Sequence, residues 1–142
     1  MNEFYFESKE SKEVAAVILE SLGSSDLFNE QCDEYTLDGF VDNYNWDDGL
    51  EVPYLILNHP KCELGTALKI FYLSEGSGML DEDYQDYELG HWVEFVEYTF
   101  KRIVDGNYST KHIPFKFPLM ESSKKYIKAA GWPEFFIEDI VV

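Results

Sequence analysis

The sequence predicts an all-α fold: one compact multi-helix domain over residues 1–142, about six helices with helical hairpins, and a minor extended segment near the C-terminus. Three observations lead there. Apolar residues recur at i, i+3, i+4 and i+7 in several separate stretches. Glycine and proline stand at the ends of those stretches. Eleven Phe, ten Tyr and three Trp supply the bulk for a single core in a chain of 142 residues.

The first helix is expected at 11–22, where Val14, Val17, Ile18 and Leu22 share a face, Ser11 caps and Gly23 stops the run. Residues 24–31 connect it to a second helix at 32–44, with an apolar stripe of Tyr35, Leu37, Phe40, Val41 and Tyr44. Gly39 weakens that helix by about 1 kcal/mol relative to alanine. A loop follows, then a short helix ending near His59, with Val52, Leu55 and Ile56 facing the core. Asp48 and Glu51 stand at capping-box spacing, although Pro53 argues for a later start. Pro60 ends this helix.

Residues 63–74 form the next helix, with Leu64, Ala67, Leu68, Phe71 and Tyr72 on one face and Gly65 and Ala67 small enough for close helix packing. The short link at 60–62 suits an antiparallel helix pair. A polar break covers 76–90, and the clearest helix runs over 91–104 with Trp92, Phe95, Val96, Thr99, Phe100 and Ile103 inward. Residues 113–117 are extended because prolines bracket helix formation there. A last helix spans 119–130, with Gly131 and Pro133 behind it. The tail, EFFIEDIVV, either packs down or pairs as a strand.

Charge is the dominant compositional feature. The chain carries 28 acids against 11 bases, a formal net charge of −17. Residues 1–100 hold 23 acids and 4 bases, whereas residues 101–142 hold 5 acids and 7 bases. Such crowding costs stability through self-repulsion and exceeds what solubility requires. A basic protein partner, steered in electrostatically, accounts for it; a solvated acidic face is the plainer alternative. Direct binding to nucleic-acid phosphates needs the opposite sign and is not expected. No run reaches the roughly 18 apolar residues of a membrane span, and no apolar signal segment opens the chain. Cys32 and Cys62 are the only cysteines, which allows one disulfide but no dense framework, and the default expectation is a reducing, bacterial-type cytoplasm with two free thiols.

Residues 43–76 read NYNWDDGLEVPYLILNHPKCELGTALKIFYLSEG. The run Tyr44, Asn45, Trp46, Asp47, Asp48 and Gly49, then Pro53, then His59, Pro60, Cys62, Gly65, Thr66, Ala67 and Leu68, resembles a bacterial domain-of-unknown-function family, number 4274. Glu63 stands where that pattern has aspartate. The resemblance implies no assigned reaction. Small acidic bacterial proteins of this kind often look like immunity proteins encoded beside secreted toxins, and that association agrees with the charge.

Chemical motifs are otherwise scarce. The loop from Asn43 fails the calcium-loop pattern because Gly49 comes one position late and Tyr54 occupies the bidentate place. His59 and Cys62 have no second pair at zinc-finger spacing, and His91 and His112 reach a shared site only through folding. A helix-end histidine and a loop cysteine capping the next helix explain that pair. No nucleophile elbow, phosphate loop or dinucleotide fingerprint occurs. Trp46, Gly49 and Pro53 are expected to build an interhelix corner, with Asp47 or Asp48 capping the helix beyond it.

The expected function is therefore non-enzymatic binding: an immunity protein covering the basic active cleft of a toxin, for instance a nuclease, with no metal or cofactor. The expected contact residues are Asp33, Glu34, Asp38, Asp42, Asp47, Asp48 and Glu51, together with Asp81, Glu82, Asp83, Tyr84, Asp86, Tyr87 and Glu88. The alternatives are an intracellular scaffold or regulator, and a hydrolase using Cys62, His59 or the acidic loop.

Overall fold

A computed structural model describes residues 33–46, 49–81, 90–106 and 108–142. The helix expected at 11–22, and the acids and tyrosines at Asp47, Asp48, Glu82, Asp83, Tyr84, Asp86, Tyr87 and Glu88, lie outside the described residues.

The fold is all-α. Five α-helices occur among the described residues: α1 (Glu34–Asp42), α2 (Glu51–Leu57), α3 (Leu64–Leu73), α4 (Gly90–Val104) and α5 (Glu121–Ala129). Two 3₁₀ turns, Gly76–Leu80 and Glu134–Phe136, supplement them. Helix α3 is the centre, touching α1, α4 and the first 3₁₀ turn. Its sequence explains why: Gly65, Thr66, Ala67, Leu68, Ile70 and Phe71 are all buried, so it is apolar around most of its circumference.

The helix starts follow local chemistry. The Asp33 carboxylate accepts from the Thr36 N–H at 2.8 Å and caps α1. Helix α2 begins at Glu51 with Leu50 as its N-cap, so the expected Asp48 cap is replaced. The reason is Pro53: at the third helical position its missing N–H is one the helix leaves unpaired anyway, and a start at Asp48 would place it deeper. Glu63, not Cys62, is the N-cap of α3, while the Cys62 side chain turns into the core.

Gly65 serves a different neighbour from the one its spacing suggests. A Cβ there would come within 2.7 Å of the Ile113 carbonyl oxygen and 3.1 Å of the Pro114 carbonyl oxygen. The close approach is thus by extended backbone and not by a second helix. That extended segment is tied to α3 by Leu64 N–H donating to the Ser109 carbonyl at 2.8 Å. The tail pairs with the same segment: Phe115 and Ile140 exchange antiparallel backbone bonds of 3.1 and 2.8 Å. The choice left open for the tail is settled as mixed, a 3₁₀ turn that packs Phe136 into the core and then a single bridge.

The core is aromatic at one end. The Phe71 ring lies 5.3 Å from Phe136, 5.6 Å from Trp132 and 6.0 Å from Phe100, centroid to centroid. Phe100 stacks on Phe136 at 4.9 Å. Trp92, Phe100, Leu64 and Tyr72 are partly buried at its edge, while Phe95, Val96, Thr99 and Ile103 of α4 are fully inside.

Candidate functional site

The acids of α1 point to two different places. Asp38 and Asp42, one turn apart, converge on Lys69 of α3 at 2.9 and 2.8 Å. The other Asp38 oxygen accepts from the Thr66 hydroxyl at 2.9 Å. Burial pushes the Lys69 ammonium pKa down, but bonds to Asp42 and Asp38 outweigh it and leave it above the ordinary value. Asp38 is therefore committed to α1–α3 packing with both oxygens, while Asp42 remains exposed beside it.

Glu34, at the start of α1, faces His112: its Oε1 is 3.7 Å from the imidazole Nδ1. The same Nδ1 lies 3.0 Å from Oε2 of Glu63. Glu63 is almost wholly buried, and its Oε1 accepts the backbone N–H groups of His112 and Ile113 at 2.8 and 3.0 Å. Desolvation raises the Glu63 pKa, but these backbone donors and the His112 ring outweigh it and hold the carboxyl below its usual range. The Tyr35 ring, exposed on α1, packs near the imidazole at 6.0 Å. Helix α1, the N-terminus of α3 and the 109–113 turn thus meet around one histidine.

The turn between α2 and α3 is closed by local hydrogen bonds. The His59 Nδ1 accepts the Lys61 N–H at 3.1 Å, and the Cys62 N–H donates to the His59 carbonyl at 3.1 Å. The last carbonyl of α2, on Leu57, receives the Tyr108 hydroxyl at 2.7 Å and the Arg102 guanidinium at 3.3 Å, which satisfies a helix C-terminus with a cation. Cys62 is a free thiol enclosed in the core, and burial pushes its pKa far above the ordinary thiol range despite the nearby Arg102. In a Cys32→Ser background, Cys62 is expected to stay unmodified by Ellman's reagent in the native protein and to react fully in guanidinium chloride. Rapid native labelling would show that the thiol is reachable.

Tyr44, Trp46 and Gly49 build a corner. The Tyr44 hydroxyl donates to the Gly49 carbonyl at 2.6 Å, closing the loop across its base. Trp46 packs edge-on against Tyr44 at 5.4 Å and reaches Phe95 of α4 at 6.5 Å. Pro53 is buried in the first turn of α2.

The family model for a domain of unknown function, DUF4274, matches residues 29–104, more than half of the chain of 142. The chain belongs to the DUF4274 family. No curated protein and no solved structure matches it. The DUF4274 span contains α1 to α4, and hence Glu34, Asp38, Asp42, Glu63 and Lys69, but ends before His112.

Outside the DUF4274 span, the 114–119 segment and the tail form with α3 a groove of about 900 Å³. Tyr72, Phe115, Leu119 and Ile140 line it, with Lys69 and Lys116 and the acids Asp42 and Asp139 among the lining residues. Of the acids expected to meet a partner, the structure gathers Asp38 and Asp42 on Lys69 and sets Glu34 on His112. Asp81 is exposed after the first 3₁₀ turn, and Glu51 is half-buried at the start of α2. Sequence reasoning raises His112 only as a zinc ligand that would need folding to meet His91, and Glu63 only as a departure from the family pattern; Lys69 is not marked out.

Proposed function

We propose that this chain is a non-enzymatic acidic binding protein of the immunity type, neutralising a cognate toxin by covering its basic active cleft. The observation that carries this reading is the charge distribution: 23 acids against 4 bases in residues 1–100. Of those four bases, Lys69 is engaged between Asp38 and Asp42 and so offers little relief elsewhere. The repulsion that remains is relieved when a cationic surface docks. Exposed acids such as Asp42 and Asp81, on the rim of the contact, speed encounter, and aromatic side chains set dwell time. A bacterial cytoplasm, where a producing cell needs such protection, belongs to the same reading. The family carries no reaction in its description, and the buried, protonated Cys62 weighs against a thiol hydrolase.

The test is co-expression with the basic C-terminal domain of the protein encoded next to this one. The toxic domain alone is expected to arrest growth, and this chain to restore it and co-purify with the domain. If growth stays arrested and no complex forms, the immunity reading is wrong. Combined reversal of Asp81, Glu82 and Asp83 to lysine is expected to slow association by about tenfold at low salt, read by stopped-flow. Unchanged rates would remove that loop from the contact.

A further inference from the structure

The cluster of Glu34, Glu63 and His112 has more negative charge than its partners balance. Among the described residues, both carboxylates find their ion-pair partner in the same imidazole nitrogen, at 3.7 and 3.0 Å. One proton on Nδ1 can sit between Nδ1 and only one of them. A neutral imidazole leaves two carboxylates facing each other across it, one of them almost wholly buried on Glu63.

We infer that Glu34 Oε1, Glu63 Oε2 and His112 Nδ1 form a binding site for a divalent transition-metal cation of the zinc class. The three atoms lie within 4.8 Å of one another. The imidazole nitrogen lies 3.7 and 3.0 Å from the two carboxylate oxygens, close to the roughly 3.4 Å between neighbouring donors around a tetrahedral cation with bonds of about 2.1 Å. One imidazole nitrogen with two carboxylate oxygens is a donor set that zinc accepts and that calcium and magnesium, which take oxygen, do not favour. The arrangement is also held from behind. Glu63 Oε1 is fixed by two backbone N–H donors, which leaves Oε2 aimed at the imidazole. The His112 side chain is half exposed, so a fourth position opens to solvent for water or a partner's ligand.

The residues come from three places in the chain, at 34, 63 and 112, so the site arises by folding and carries no sequence spacing. Bound there, the cation displaces the Nδ1 proton and ties the start of α1 to the start of α3 and to the 109–113 turn. This site stands independently of any toxin partner, since it requires only the chain itself.

The experiment is zinc titration by calorimetry of the full chain after chelator treatment, with excess magnesium present to occupy weak acidic sites. One equivalent of Zn²⁺ is expected to bind, with a rise in melting temperature, and Co²⁺ in its place is expected to give visible d–d absorption. Glu34→Gln and His112→Gln leave a Glu63 carboxylate oxygen for the backbone donors, so both should fold as the parent does in chelator. Each should weaken binding by more than the roughly 10–100-fold that loss of an outer-shell partner costs. His91→Gln should leave binding unchanged. No saturable zinc binding, or binding that both Glu34→Gln and His112→Gln leave intact, overturns the inference.

Discussion

Phe71→Ala is expected to lower the unfolding free energy by about 3–5 kcal/mol, the range for removing a fully enclosed aromatic side chain. Phe71 is completely buried on α3, the helix that touches α1, α4 and the first 3₁₀ turn. Its ring faces Phe100 from α4, Trp132 after α5 and Phe136 from the C-terminal 3₁₀ turn. Gly76 completes the enclosure, because a Cβ at that position would fall on the Phe71 ring. The truncation therefore opens a cavity between rigid rings that cannot readily collapse into it. For a chain of this length the melting temperature should fall by roughly 10–20 °C. Urea unfolding followed by far-ultraviolet circular dichroism measures the first quantity and a thermal scan the second. A loss below about 1 kcal/mol would mean that the C-terminal aromatics do not rest on Phe71.

The second large effect concerns Glu63. Glu63→Ala removes the acceptor for the His112 and Ile113 backbone N–H groups and leaves the latter buried without a partner. A stranded buried donor costs about 1–3 kcal/mol, and a charge-assisted bond is worth more than a neutral one. The expected loss is about 3 kcal/mol. Glu63→Gln keeps an oxygen where the two N–H groups need one and should lose less than half as much. Both are compared by denaturant unfolding in chelator, so that metal plays no part. Amide hydrogen exchange at His112 and Ile113 should accelerate in Glu63→Ala and change little in Glu63→Gln. Equal destabilisation by the two substitutions would show that negative charge, and not the hydrogen-bond acceptor, is what matters there.

These two residues mark how far the chain could be read in one dimension. Phe71 was placed on the core face by its spacing from Leu64, Ala67 and Leu68, and it is the centre of the aromatic cluster. The buried face of α4 was legible for the same reason: Phe95, Val96, Thr99 and Ile103 repeat with the helical period. Helix ends were less legible. Asp48 and Glu51 have capping-box spacing, yet the structure starts α2 at Glu51 behind Leu50, because a proline two residues on limits where a helix can begin. Glu63 shows the other limit. Nothing in its neighbours says that it will meet residues almost fifty positions later, and as an isolated letter it was one more acid in an acidic chain.

Periodicity and composition alone determined that the chain is helical, much of the face that α3 and α4 bury, and that it carries a large unbalanced negative charge. Those properties depend on nearest neighbours along a helix and on simple counting, so order in the sequence is enough to express them. Only the tertiary structure decided which acids find a partner within the chain. Asp38 and Asp42 close on Lys69, and Glu34 and Glu63 close on His112, across separations that no local spacing encodes. The physical reason is that a carboxylate's role depends on what lies within a few ångströms of it, and packing against α3 is what brings those partners there.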